Sequence, residues 1–197
     1  MDASVYRRPE KPLRSSLSIT TKHVVLEDVA EIAKPLMIHA STECHVTPEK
    51  EGDIMASYLI DMVGTDGLFL EPQCGTGNLI GALLRQGVQA GNVEAVERHF
   101  DLQKMTRDTY GIPVHHTCFL EFAETCQTKF NGIISNPPFK KVRKHILASE
   151  KLLAPDGILV ALVPITFNRE GYRDLEELPP DLFPTAKVNT KLVVFQA

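Results

Sequence analysis

Apolar residues follow two rhythms along this chain, and the elements it forms can be read from the alternation between them. Short runs that stay apolar on successive residues, such as Gly67-Leu68-Phe69-Leu70-Glu71, Phe130 to Ser135 and Ile158 to Val163, suit strands covered on both faces. Between them, apolar positions return every three or four residues, the spacing of one helix face. Leu26, Val29, Ala30, Ile32, Ala33 and Leu36 predict a helix to Met37 that Pro35 kinks or shortens. Thr47-Pro48-Glu49 supplies an N-cap, a proline for the first helical position and an acid for the first turn, ahead of Ile54, Met55, Tyr58, Leu59 and Met62. Further helices are predicted over Leu79–Gln86, over Asp101–Tyr110 and from the basic stretch at Lys140 to Leu153. Further strands are predicted over Asn92–Glu97, Val114–Thr117 and Lys187–Phe195. Pro155-Asp156-Gly157 reads as a turn into the strand that Pro164 ends, and Cys118 to Phe122 as a loop. Arg169 to Glu177 is either a small helix or an edge strand. Strands alternating with helices predict an α/β fold with a doubly wound, mostly parallel sheet.

Composition narrows this picture. A chain of 197 residues, 43% hydrophobic, suits one main domain with a substantial core, here expected over 41–197 and preceded by an arm and a helix over 1–40. Arg7, Arg8, Lys11 and Arg14, set among prolines and serines, make the first twenty residues a loose basic arm or an inert tail. A net charge of −4 gives no overall attraction for nucleic acid, so such a partner would need a local patch. Cys44, Cys74, Cys118 and Cys126 have no CxxC spacing and read as reduced thiols, with no metal site. No apolar leader and no run long enough to span a bilayer is present in the sequence, which reads as cytoplasmic with no membrane partner.

Two stretches carry candidate chemistry. The apolar run ending at Ser135 leads straight into Asn136-Pro137-Pro138-Phe139, where two prolines stop the strand and stiffen the turn that leaves the sheet. In an open α/β sheet, ligands bind just outside the carboxyl ends of the strands. An amide, a proline carbonyl and an aromatic face held there suit a planar substrate carrying an NH2 group. The second stretch is Glu71-Pro72-Gln73-Cys74-Gly75-Thr76-Gly77-Asn78, set between a strand and a helix, where two glycines allow a sharp turn and close approach to a ligand. Glu97 lies twenty residues past Gly77, the spacing at which an acid on the next strand reaches a ribose. Gly75-Thr76-Gly77 followed by Gly81 nearly matches a dinucleotide fingerprint too, but that reading leaves Glu71-Pro72 and Asn136 to Phe139 without a role.

Asn-Pro-Pro-Phe at the end of a mid-chain strand resembles the catalytic motif of class I S-adenosylmethionine-dependent methyltransferases that act on exocyclic or amide nitrogens, and Glu71 to Asn78 is similar to their cofactor loop. Cys44-His45-Val46-Thr47-Pro48 looks like the Thr-Pro segment that lies across the cofactor in adenine-N6 DNA methyltransferases. The resemblance covers residue 44 to the end. It implies a seven-stranded Rossmann-like catalytic domain with S-adenosylmethionine as cofactor. It places Thr47 across the cofactor, Glu71, Gly75 and Gly77 along its amino-acid moiety, Glu97 on its ribose, and Phe119 and Cys118 beside its adenine. Asn136 Oδ1 and the Pro137 carbonyl would hold the substrate amine while Phe139 stacks on its ring. One residue departs from the pattern. The adenine-N6 enzymes usually carry an Asp before this Phe-Leu, to accept from the cofactor's adenine amine, and Cys118 is a poor acceptor.

RNA guanine-N2 methyltransferases share Asn-Pro-Pro-Phe, and protein glutamine methyltransferases usually carry Tyr at its fourth position. Thr47-Pro48 and the tail from Leu178-Pro179 to Thr190 favour the adenine-N6 group, with DNA as the polymer and RNA second. A duplex base would have to be flipped out to reach the site. Lys140, Lys141, Arg143 and Lys144 lie where flanking phosphates would pass, unless they form only a solvated helix face. No spare segment remains for reading sequence, so broad adenine methylation is expected unless a specificity subunit or a second copy assists. A non-catalytic methyltransferase-like binding protein is the reading of a different class, favoured by Cys118 and the acidic net charge.

Overall fold

The computed structural model describes residues 45–183 and 188–197. The basic arm, the helix expected over Leu26–Met37 and Cys44 lie outside the described residues. The elements are α1 (Glu49–Val63), β1 (Phe69–Glu71), α2 (Asn78–Arg85), β2 (Val93–Glu97), α3 (Phe100–Tyr110), β3 (Val114–His116), α4 (Phe119–Thr125), β4 (Phe130–Ser135), α5 (Val142–Glu150), β5 (Leu153–Pro164), β6 (Arg173–Glu177) and β7 (Thr190–Gln196). The strands form one seven-stranded sheet in the order β3-β2-β1-β4-β5-β7-β6. Strands β1 to β5 pair in parallel, whereas β7 runs antiparallel between β5 and β6. A dinucleotide-binding sheet places its sixth strand directly beside the fifth. Here β7 is inserted between them.

Side-chain alternation divides the strands between two layers. Ile158, Val160 and Leu162 face the layer of α1 and α2 with Phe69, Val93, Ala95, Ile134, Leu192 and Val194. Leu159, Ala161 and Val163 face the opposite layer with Leu70, Val96, Ile133 and Val193, where Phe119 of α4 and Ile146 of α5 close the core. Every residue from Ile158 to Val163 is buried, as expected for a strand covered on both sides. On α1 the buried positions Gly52, Met55, Ala56 and Leu59 fall at helical spacing.

Several boundaries differ from the sequence expectations. Pro48, not Thr47, is the N-cap of α1, and no side chain caps that helix. Cys118 to Phe122 is not a loop, since Phe119 opens α4; seven residues are too few for a helical period to show, and burial of Phe119 decides the conformation. Helix α5 ends at Glu150, short of Leu153, because Leu153 already pairs with Phe130. The expected turn at Pro155-Asp156-Gly157 is a bulge within β5, with Asp156 at φ 62. Arg173–Glu177 resolves as an edge strand. No helix among the described residues is long and apolar enough to cross a membrane.

Strand β1 lies between β2 and β4, so the chain moves outward through β2 and β3 and then returns across β1 to β4. A crevice opens at the carboxyl ends of strands where the order reverses in this way. Close packing of β1 on β4 sets its floor. A Cβ on Gly132 would stand 2.6 Å from Cδ1 of the fully buried Phe69 ring. Gly132→Ala is therefore expected to lower stability by roughly 1–3 kcal/mol, read from the urea midpoint; an unchanged midpoint would show that the ring moves aside freely.

Candidate active site

The turn from β1 into α2 is held from three sides. Gly75 N–H donates to Glu97 Oε2 at 2.9 Å, and the Gly75 carbonyl accepts from Thr106 Oγ1 at 2.8 Å. Cys74 N–H donates to the Val96 carbonyl at 3.0 Å. Both glycines adopt positive φ, 50° at Gly75 and 82° at Gly77, which side-chain-bearing residues rarely accept. Their roles differ. Gly75 lines the crevice, whereas a Cβ on Gly77 would meet Tyr110 Cε2 at 2.5 Å and Thr106 Cγ2 at 2.9 Å. Gly77 thus gives α3 room against the loop, and it is not among the residues that line the crevice.

Two acids meet at this turn. Glu71, the last residue of β1, is 1% exposed, and its Oε2 is buried with no hydrogen-bond partner. Burial first, and then the nearby Glu97 carboxylate, pushes the Glu71 carboxyl well above its ordinary value. Glu97 ends β2 and is 7% exposed; besides Gly75, it holds His99 N–H on Oε1 at 2.7 Å. Each of its oxygens keeps a further lone pair. A buried acid without a partner costs stability in isolation, and a ligand with an ammonium group would relieve it. Cys74 is no nucleophile, because burial and the same two acids push its thiol upward, far from ionisation.

At the end of β4, the side-chain amide of Asn136 donates through Nδ2 to the His45 carbonyl at 2.9 Å and to Thr47 Oγ1 at 3.0 Å. A carbonyl can only accept, so the nitrogen must face His45 and Oδ1 must face the other way. Thr47, expected to cap α1 with its hydroxyl, turns it to this amide instead, while its own carbonyl accepts from Asn78 Nδ2 at 2.8 Å. The Pro138 carbonyl is used by Lys141 N–H, and Pro137 is buried. Phe139 has one face already taken. The His45 ring stacks on it at 5.2 Å and 12°, and Phe183 meets its edge at 5.8 Å.

The crevice brings together Thr47, Glu71, Gly75, Glu97, Cys118, Phe119, Asn136 and Lys141 of the expected site residues, along with Pro138. Gly77, Pro137 and Phe139 stand behind its wall, and Lys140, Arg143 and Lys144 lie on the exposed side of the segment that follows. Arg143 places its guanidinium over the Phe167 ring at 5.9 Å.

The sequence reading missed Gln73 and His145. Ser135 Oγ donates to Gln73 Oε1 at 2.8 Å, and Gln73 Nε2 meets His145 Nδ1 at 2.9 Å. His145 is 7% exposed, and burial first, then Lys141 and Arg98, lowers its pKa to about 4. A histidine among four cations reads as surface. The signal that could have found it is the helical stripe Val142, His145, Ile146, Ser149, the inward face of α5.

No family model matches the sequence, and no curated protein matches it. Solved structures do resemble it. A Listeria monocytogenes protein assigned to the class I S-adenosylmethionine-dependent methyltransferases aligns with TM-score 0.64 at 19% identity, over 78% of this chain and 61% of that one. The methyltransferase subunit of a type I restriction-modification system from Streptococcus thermophilus aligns with TM-score 0.65 at 14% identity, over 76% and 44%. An rRNA methylase from the same species aligns with TM-score 0.54 at 13% identity, over 73% and 93%. Likeness at these identities shows the fold, which is the Rossmann-like α/β fold of these methyltransferases.

The neutral His145 gives the fold a pH dependence. Its folded pKa lies below the ordinary value of 6.5, so its contribution is complete above pH 6.5 and is lost as the pH falls toward 4. Between pH 7 and pH 5 this amounts to about 2 kcal/mol. His145→Phe should flatten that slope in urea unfolding even if it lowers stability overall. An equally steep slope in the variant would place the titration elsewhere.

Proposed function

We propose that this protein binds S-adenosylmethionine in the crevice and directs methyl transfer to an exocyclic amine, adenine N6 of DNA. The observation that carries the reading is the Asn136 amide, whose NH2 is spent on the His45–Thr47 segment so that Oδ1 remains as an acceptor at a stiff strand end. The fit of the cofactor rests on the buried, unpartnered Glu71 Oε2, which suits an ammonium group, and on Glu97, whose spare lone pairs suit a ribose diol. Bound there, the cofactor supplies an electrophilic methyl group on a sulfonium sulfur.

The chain's part is orientation. An exocyclic amine is a weak nucleophile because its lone pair is delocalised into the ring. Oδ1 of Asn136 accepts one of its protons, which favours a pyramidal nitrogen with the lone pair directed at the methyl group. Thr47 fixes the amide that does this. His45, Phe139 and Phe183 form an aromatic cluster beside the amide, against which an extruded base can pack. Lys140, Lys141, Arg143 and Lys144 follow directly in the chain, which suits phosphates on either side of that base. Two structural neighbours, named for restriction-modification and for rRNA, agree with a nucleic-acid substrate.

Incubation with labelled cofactor and separate pools of DNA, RNA and protein should give N6-methyladenine in DNA; label in another polymer or at guanine N2 would reassign the substrate. Asn136→Ala should leave affinity for S-adenosylhomocysteine nearly unchanged and reduce turnover by orders of magnitude. Glu71→Gln should weaken calorimetric binding of the same ligand at least tenfold. Full turnover in the first variant, or unaltered binding in the second, would contradict these roles.

If the basic segment meets phosphates, the triple variant Lys140→Ala, Arg143→Ala, Lys144→Ala should lower the salt slope of DNA binding by roughly 0.7–0.9 for each phosphate it no longer neutralises. Cofactor affinity should not change. An unaltered slope would make these residues a solvated face.

A further inference from the structure

The relay from Ser135 through Gln73 to His145 has no role in the chemistry above, yet it spans three elements: the end of β4, the β1–α2 turn and α5. Ser135 Oγ–H donates to Gln73 Oε1, and in this orientation Gln73 presents its NH2 to His145. Nδ1 of His145 must then accept, so the ring proton sits on Nε2. Burial and the flanking Lys141 and Arg98 keep the ring uncharged. Nε2 is the ring nitrogen that this relay does not use, and His145 lines the crevice. It also lies against the buried Phe119 ring, at 5.8 Å and 34°.

A neutral donor beside an aromatic wall selects among the groups a ligand could bring. The substrate amine needs an acceptor, which Asn136 provides. An ammonium group needs an acid, which Glu71 provides. A diol also needs acceptors, which Glu97 provides. What suits an uncharged N–H next to a flat ring is the lone pair of a heteroaromatic ring nitrogen. At the exit of β3, Cys118 offers a base no strong acceptor for its amine, so the base must be read through its acceptor edge instead.

We propose that Nε2–H of His145 donates to a ring nitrogen of the cofactor's adenine and so positions that base against Phe119. This rests on the cofactor assignment above and deepens it, because it moves recognition of the base from β3 to α5.

The test is calorimetric binding of S-adenosylhomocysteine and its 1-deaza, 3-deaza and 7-deaza analogues, each of which replaces one ring nitrogen by CH. Wild-type protein should bind one of the three roughly five- to tenfold more weakly than the parent. His145→Phe should bind the parent more weakly and no longer discriminate against that analogue. His145→Gln, which carries an NH2 near the position of Nε2, should restore part of the discrimination and guards against a folding defect in the Phe variant. Equal binding of all four ligands by wild type, or full discrimination retained by His145→Phe, overturns the proposal while the cofactor assignment stands. Failure of the parent ligand to bind wild type overturns the cofactor assignment, and this proposal with it.

Discussion

The Asn136 amide is a joint between three parts of the chain, and the crevice depends on it. Its Nδ2 ties the end of β4 to the His45–Thr47 segment, and the Thr47 carbonyl ties that segment to Asn78 at the start of α2. One side chain thereby sets the position of the segment above the crevice, the turn beside it and its own acceptor oxygen. Because the His45 carbonyl can only accept, the orientation of the amide is fixed before any substrate arrives. On the proposed reading, preorganisation of this kind is where an orienting site gains its rate.

Around this joint the fold accepts local costs. Glu71 is buried with an unpartnered oxygen beside a second acid, and His145 is buried without its charge. Either would be easier to stabilise as an apolar residue of similar size. Such departures from good packing gather where a ligand completes the set of partners. Elsewhere the core is conventional, with two apolar layers interleaved through strands β1, β4, β5 and β7 and no charged residue between them on β4 or on the buried run of β5. The contrast in composition between crevice and core is itself the mark of the site.

Glycines show how one motif serves two ends. At Gly75 a left-handed backbone presents the turn to the crevice, whereas at Gly77 the same kind of conformation makes room for Tyr110 and Thr106. The two glycines of the loop therefore have different physical reasons, one facing the crevice and the other the helix α3. Cys118 is a comparable case. It lines the crevice where an acceptor would be expected, and a polar side chain from a different element, His145 of α5, lies against the neighbouring Phe119 ring.

The fold class was legible in the residues alone, because burial on both faces demands unbroken apolar runs and burial on one helix face demands a three-to-four spacing; Ile158 to Val163 and Met55 to Leu59 obey these rules wherever they lie in the sheet. The turn from Glu71 to Asn78, the acid at Glu97 and the stiff end at Asn136 were legible for a related reason: prolines and paired glycines restrict the backbone locally, whatever surrounds them. Tertiary structure decided everything that depends on a partner distant in sequence. Thr47 turns from its helix to Asn136, 89 residues away, and Gln73 reaches His145 across 72. It took the assembled sheet to show that Gly77 faces α3, that His45 covers Phe139, and that a histidine set among lysines points inward. Local rules govern which conformation a segment can adopt, but a hydrogen bond between two side chains exists only once the sheet has brought their strands' ends together.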